Sequence, residues 1–123
     1  MQKSKILIIE DETDLLSLLT FRLTKAGYTV IGAGDGKQGI YRFKKHRPDL
    51  LILDLVLPGI SGLDILRHIK KDKNTALIPV IILTAQFIDT GLEQELLDYP
   101  LVRIIRKPYE SGNLISNISE CLA

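Results

Sequence analysis

Leu50-Leu51-Ile52-Leu53-Asp54 is an unbroken apolar run that stops on a carboxylate. A strand with one wet face alternates apolar and polar residues, so a run without any polar position needs cover on both faces. The same design recurs upstream in Ile6-Leu7-Ile8-Ile9 followed by Glu10 and Asp11, and downstream in Val80-Ile81-Ile82-Leu83 followed by Thr84. Two weaker β-branched stretches, Tyr28 to Ile31 and Val102 with Ile104 and Ile105, complete a set of five predicted strands. Strands buried on both sides are the mark of a central parallel sheet.

Longer amphipathic segments separate these runs. Residues 12–26 place Leu15, Leu16, Leu19 and Leu23 on one helical face, with Gly27 as the stop. Residues 36–46 carry Ile40 and Phe43 and end before Pro48. Residues 62–72 carry Leu63, Leu66 and Ile69, residues 87–98 carry Ile88, Leu92 and Leu96, and residues 111–122 carry Leu114, Ile118 and Leu122. Thr90 and Gly91 weaken the start of the fourth helix. The order is (βα) five times. Right-handed crossovers then leave an α/β, doubly wound fold with helices on both faces of a five-stranded parallel sheet, in the flavodoxin-like order 2-1-3-4-5. One domain over residues 1–123 is expected, with fraying confined to Met1–Ser4.

The 123 residues contain 46% hydrophobic and 25% charged side chains, an ordinary globular mixture. The net charge of +1 argues against a dedicated nucleic-acid surface. The basic run from Arg42 to Arg47 reads as the solvated end of a helix. Cys121 is the single cysteine, so no intrachain disulfide can form, which suits a reducing, cytoplasmic compartment. It reads as a small buried apolar residue near the C-terminus. No signal peptide is expected, because the first apolar run meets Glu10 and Asp11. Nor does any apolar stretch approach the roughly 20 residues of a membrane span.

Ligands of open α/β sheets sit beyond the carboxyl ends of the strands. There the chain places Glu10 and Asp11 after strand one, Asp54 after strand three, Thr84 after strand four, and Lys107-Pro108 after strand five. With strand one beside strand three, three carboxylates converge. Two unit charges about 4 Å apart repel by roughly 4 kcal/mol at an effective dielectric near 20. Protons or a cation must relieve this, and Mg²⁺ characteristically takes one or two carboxylates plus water and phosphate oxygens. Lys107 would add positive charge opposite the metal, and Thr84 a hydroxyl for a phosphoryl oxygen. Any one of these residues alone is unremarkable: Asp11 could simply cap the first helix. Their meeting at one sheet edge is the specific signal.

Glu10-Asp11-Glu12 after an apolar strand, Asp54-Leu55-Val56-Leu57-Pro58 with Ser61-Gly62, Thr84-Ala85 and Lys107-Pro108 together resemble the receiver-domain pattern of two-component response regulators, over essentially the whole chain. The resemblance implies that Asp54 is the phosphoacceptor and that Glu10 and Asp11 hold Mg²⁺ with it. It implies that the backbone carbonyl of Val56 completes the metal site, that Thr84 is the switch hydroxyl, and that Lys107 contacts the phosphoryl group. A cis Lys107–Pro108 peptide bond is expected by the same analogy. The implied partner is a sensor histidine kinase or histidine phosphotransfer protein, with slow self-catalysed hydrolysis afterwards. Output is expected through the helix 4/strand 5 face, to an effector protein or to an output domain outside this sequence.

Gly34-Asp35-Gly36-Lys37-Gln38-Gly39 matches the dinucleotide fingerprint literally. It follows the second strand, however, an edge strand away from the switch point of the sheet. A glycine-rich turn, with Gly39 allowing close helix packing, accounts for it. An aspartate-nucleophile phosphohydrolase of the haloacid-dehalogenase type wants Asp-x-Asp, and here Val56 stands two residues after Asp54. A pseudo-receiver that takes no phosphate is a further alternative, opposed by the complete set of site residues.

Three features depart from the receiver pattern. Ile104 stands where an aromatic residue is usual, Asp98-Tyr99-Pro100-Leu101 replaces a Gly-Ala loop, and the Thr84–Lys107 interval is slightly long. All three bear on the output face rather than the chemistry. Ile104 lacks a ring and polar tip and has restricted χ1 choices. Phosphorylation is therefore expected to act on the fourth helix and the Asp98–Leu101 loop, which with the Thr84–Gly91 segment makes up the mobile part of that face, more than on the Ile104 rotamer.

Overall fold

The computed structural model describes residues 3–123. In chain order the elements are β1 (Lys5–Ile9), α1 (Thr13–Lys25), β2 (Thr29–Ala33), α2 (Gly36–His46), β3 (Leu50–Leu53), α3 (Gly62–Lys71), β4 (Val80–Thr84), α4 (Thr90–Asp98), β5 (Val102–Arg106) and α5 (Ser111–Leu122). All strand pairs are parallel, in the order β2-β1-β3-β4-β5. The flavodoxin-like doubly wound fold expected from the apolar runs is the one observed.

The continuous runs are explained by two separate cores. Side chains alternate across a strand, so each run feeds both sheet faces. Leu7, Ile9, Leu51, Leu53, Val80 and Ile82 meet Phe43, Ile65, Leu66, Ile69 and Leu96 from α2, α3 and α4. Ile6, Ile8, Leu50, Ile52, Ile81 and Leu83 meet Leu19, Leu23, Leu114 and Ile118 from α1 and α5. Each fully buried aliphatic side chain contributes on the order of 2 kcal/mol of transfer free energy, so two such layers carry the fold without staples. Cys121 lies half-buried against the second core.

Several boundaries shift for local reasons. β2 continues to Ala33 because it pairs with β1 as far as Ile9; Gly32 and Ala33 are too small for hydropathy to mark. Likewise β5 runs to Arg106, which pairs with Thr84. The fourth helix begins at Thr90, not at residue 87, because the Asp89 side chain caps it by accepting from the Leu92 amide at 2.8 Å. Ile88 is nevertheless buried, from the loop before the helix, whereas Phe87 stands exposed. α3 stops at Lys71, with Leu63 only half-buried and Ile65 and Lys70 buried in addition to Leu66 and Ile69. At the N-terminus the expected fraying of Met1 and Gln2 lies outside the described residues, while the Ser4 carbonyl already accepts from the Thr29 amide at 2.9 Å.

The glycine-rich turn before α2 serves packing. Asp35 caps the helix by accepting from the Gln38 amide at 2.8 Å, so its own carboxylate occupies the helix N-terminus. A Cβ on Gly39 would lie 2.4 Å from the Ile9 side chain, which is the close approach expected there. β2 is an edge strand.

Candidate functional site

Sheet hydrogen bonding continues past the strand ends and sets the backbone of the candidate residues. The Glu10 amide donates to the Ala33 carbonyl at 3.0 Å, the Asp54 amide to Ile9 at 3.2 Å, and the Lys107 amide to Thr84 at 2.9 Å. Residues far apart in the chain therefore meet at one edge. The Lys107–Pro108 bond is cis, as expected.

The Lys107 Nζ donates to Glu10 Oε1 at 2.7 Å and to Asp54 Oδ2 at 3.0 Å. Asp54 Oδ1 accepts from the Val56 amide at 3.1 Å, and a Glu10 oxygen accepts from the Glu12 amide at 3.2 Å. Glu10 and Asp54 are buried, Thr84 is completely buried, and Asp11 is exposed. Asp11 does not cap α1: Glu12 occupies the cap position, without a side-chain cap bond. The Thr84 hydroxyl oxygen accepts from the Gln86 amide at 3.1 Å. An open hollow of about 280 Å³ is lined by Asp11, Glu12, Asp54, Val56, Thr84, Ala85, Gln86 and Lys107. Glu10 is bonded to the Lys107 ammonium that lines it.

Burial pushes the Glu10 carboxyl above its ordinary range, against the opposing pull of the Lys107 and Glu12 hydrogen bonds. For Lys107, burial works to lower the ammonium, but the bonds from Glu10 and Asp54 outweigh it and hold the group above its usual value. One oxygen each of Glu10, Asp11 and Asp54 lie within 4.8 Å of one another. Three hard oxygen donors at that separation match what a hard divalent cation takes. The donor set thus fits Mg²⁺, which receiver domains generally use.

All the residues singled out from the sequence, Glu10, Asp11, Asp54, Val56, Thr84 and Lys107, come to this one edge. Gly62 is the contributor whose role was not read from the sequence. Its amide donates to the Leu55 carbonyl at 3.0 Å. A Cβ there would lie 1.9 Å from the Asp54 carbonyl oxygen and 2.7 Å from the Leu55 Cα. Only glycine lets the first turn of α3 seat directly on the Asp54 backbone. The visible signal was Ser61-Gly62, a helix cap followed by the smallest residue. Ser61 does cap α3, accepting from the Asp64 amide at 3.2 Å.

Residues 6–119 match the model of the response regulator receiver domain. Response regulator ArlR of Staphylococcus aureus is 40% identical over 119 residues, covering 97% of this chain and 52% of that protein. A probable transcriptional regulator, ycf27, of Porphyridium aerugineum is 37% identical over 126 residues, covering 99% of this chain and 49% of that protein. The chain thus spans about half the length of these curated relatives. A response regulator receiver domain protein from Clostridium thermocellum superposes with a TM-score of 0.81 at 32% identity, covering 97% of this chain and 94% of that one. The chemotaxis protein CheY4 of Vibrio cholerae shares the fold, with a TM-score of 0.88 at 22% identity over 98% of this chain and all of that one. With its acidic cluster at the carboxyl edge of a 2-1-3-4-5 sheet and a family match over nearly its whole length, this chain belongs to the response regulator receiver domain family of two-component signalling.

Proposed function

We propose that residues 1–123 form a single phosphoacceptor domain in which Asp54 takes a phosphoryl group from a phosphohistidine of a sensor histidine kinase or histidine phosphotransfer protein. The observation that carries this reading is the Lys107 ammonium held between Glu10 and Asp54 beside the exposed Asp11. An Asp54 oxygen attacks phosphorus, a P–O bond forms as the P–N bond to imidazole breaks, and the imidazole leaves. A carboxylate oxygen is itself the nucleophile and carries no proton to be removed, so no general base is required. The chain's contribution is positioning and charge neutralisation. Lys107 would pair with one phosphoryl oxygen, and the Thr84 hydroxyl, which lines the same hollow, would donate to another. Glu10, Asp11, Asp54 and the Val56 backbone carbonyl would hold Mg²⁺, which when bound supplies positive charge against the phosphoryl oxygens.

The phosphorylated domain then alters partner binding through the α4/β5 face, to an effector protein or a domain beyond this sequence. A cytoplasmic setting follows from such a partner. No helix among the described residues is long and apolar enough to cross a membrane, and this domain needs neither membrane nor nucleic acid for its own chemistry.

Incubation with acetyl phosphate and Mg²⁺ adds one phosphoryl group to the wild type, read by intact mass. Asp11→Asn removes an exposed carboxylate from the cluster and abolishes Mg²⁺-dependent labelling with the fold intact. Equally fast labelling of wild type without metal would overturn the metal assignment. Val56 and Gln86 flank the hollow, and the Val56 side chain offers no hydrogen bond to an attacking water. The phosphoryl-aspartate is therefore long-lived. Val56→Asn shortens its lifetime by roughly tenfold, the kinetic worth of one hydrogen bond of about 1.4 kcal/mol. An unchanged decay rate argues against a water path beside residue 56.

A further inference from the structure

α3 joins the phosphoacceptor backbone at one end and the α4–β5 region along its side. At its start, Gly62 is in contact distance of the Asp54 and Leu55 backbone and leaves no space for a Cβ. Farther along, the half-buried Arg67 grips Glu95 of α4 with two hydrogen bonds, Nε at 2.7 Å and Nη2 at 2.8 Å. Tyr99 at the end of α4 donates its hydroxyl to the same carboxylate at 3.1 Å. The Arg67 guanidinium holds the Glu95 carboxyl below the usual carboxylate range. One turn on, the buried Lys70 sends its ammonium to three backbone carbonyls, Ala76 at 2.8 Å, Ile78 at 2.9 Å and Pro100 at 2.6 Å.

The Asp98–Leu101 turn is thus bonded to α3 at Pro100 and, through Tyr99 and Glu95, at Arg67. Its last residue is also held in the left-handed region, with φ of 57° at Leu101, a strained conformation for any residue but glycine. The flanking bonds, from Lys70 to Pro100 and from the Val80 amide to the Leu101 carbonyl at 2.9 Å, hold that geometry. A displacement at Asp54 would therefore reach a strained, pinned turn through a helix ten residues long, about 15 Å at 1.5 Å per residue.

We infer that α3 is a coupling element of this domain: through Arg67 and Lys70 it transmits the state of Asp54 to the C-terminal end of α4 and the Tyr99–Leu101 turn. This rests on Asp54 being the phosphoacceptor. It does not require an aromatic ring at position 104, where Ile104 packs half-buried against the core shared with Leu92 and Leu96. Two-state packing at the α3–α4 contact is the physical basis: a rigid helix with polar grips at fixed positions shifts its neighbour or releases it.

Amide exchange of the 123-residue chain with and without Mg²⁺ and beryllofluoride, a phosphoryl mimic, tests the coupling. In the wild type, exchange changes at residues 54–59 and also at residues 96–101, the latter by roughly two- to thirtyfold, the span that coupling residues typically carry. Arg67→Gln keeps the response at 54–59 and loses most of that at 96–101. The charge swap Arg67→Glu with Glu95→Arg restores it. Arg67 is chosen because it is half-exposed, whereas a Lys70 variant risks the fold. A full response at 96–101 in Arg67→Gln, or no restoration by the swap, overturns the α3 route while leaving Asp54 as the acceptor. No response at 54–59 in the wild type overturns the phosphoacceptor reading and the coupling with it.

Discussion

Asp54→Asn is expected to reduce phosphoryl incorporation from acetyl phosphate to background, with the folded state retained. The substitution is nearly isosteric and removes only the anionic oxygen that attacks phosphorus. A neutral amide oxygen is a far poorer nucleophile, and no neighbouring group replaces it: Glu10 is buried and bonded to the Lys107 ammonium, and Asp11 is exposed at the rim. Lys107 keeps its 2.7 Å bond to Glu10 in the variant, so its charge stays paired. Relief of like-charge crowding among Glu10, Asp11 and residue 54 offsets the lost Lys107 bond, and the urea midpoint should move little. Intact mass after labelling, alongside circular dichroism, checks both halves. Labelling equal to wild type would mean that another side chain accepts the phosphoryl group.

Lys70→Met should be the most destabilising change outside the two apolar cores. Methionine fills a similar volume but leaves the carbonyls of Ala76, Ile78 and Pro100 without the donor they share. Each of these part-buried acceptors left unpaired costs about 1–2 kcal/mol, partly offset because no ammonium need be buried. A net loss of about 3 kcal/mol is expected, a fall of roughly 1–2 M in the urea midpoint at unchanged m. The pH dependence has a definite sign. Burial lowers the Lys70 ammonium from 10.5 to about 8, so at neutral pH it is charged in both the folded and unfolded chain. Between about 8 and 10.5 the folded state has released a proton that the unfolded state still binds. Stability of the wild type relative to Lys70→Met therefore rises as pH climbs through that window, by on the order of 1 kcal/mol per pH unit. Urea midpoints of both proteins at about pH 7 and 9.5 measure the gap. A gap that narrows at the higher pH would show that the three carbonyls outweigh burial and hold the Lys70 ammonium above its usual value.

The architecture and the candidate site were legible in the chain for the same reason. Period-two alternation within fully apolar runs demands cover on both faces, and the parallel order that satisfies it collects the residues after each run at one edge. Glu10, Asp11, Asp54 and Lys107 lie within two residues past a strand end and Thr84 is the last residue of one, so placing the strands brought these residues to one edge. The start of α4 was misread because Ile88 continues an apolar period, while the Asp89 cap that overrides it looks like any polar surface residue. Gly62 was visible as a letter but not as a contact, since a close backbone approach depends on the path of the chain through the Asp54 loop.

Local hydropathy and connection rules are enough to give the doubly wound sheet and the identity of the residues at its carboxyl edge. The polar contacts between elements, in contrast, emerge only from the packing of those elements in three dimensions. In sequence Lys70 is a basic residue in the last turn of an amphipathic helix, and Arg67 and Glu95 are two charges 28 residues apart. Their partners are three backbone carbonyls and a facing helix, and backbone carbonyls carry no sequence signature. A side chain's charge reports what it can bind; whether it finds solvent, a carboxylate or a buried peptide oxygen depends on which elements pack beside it.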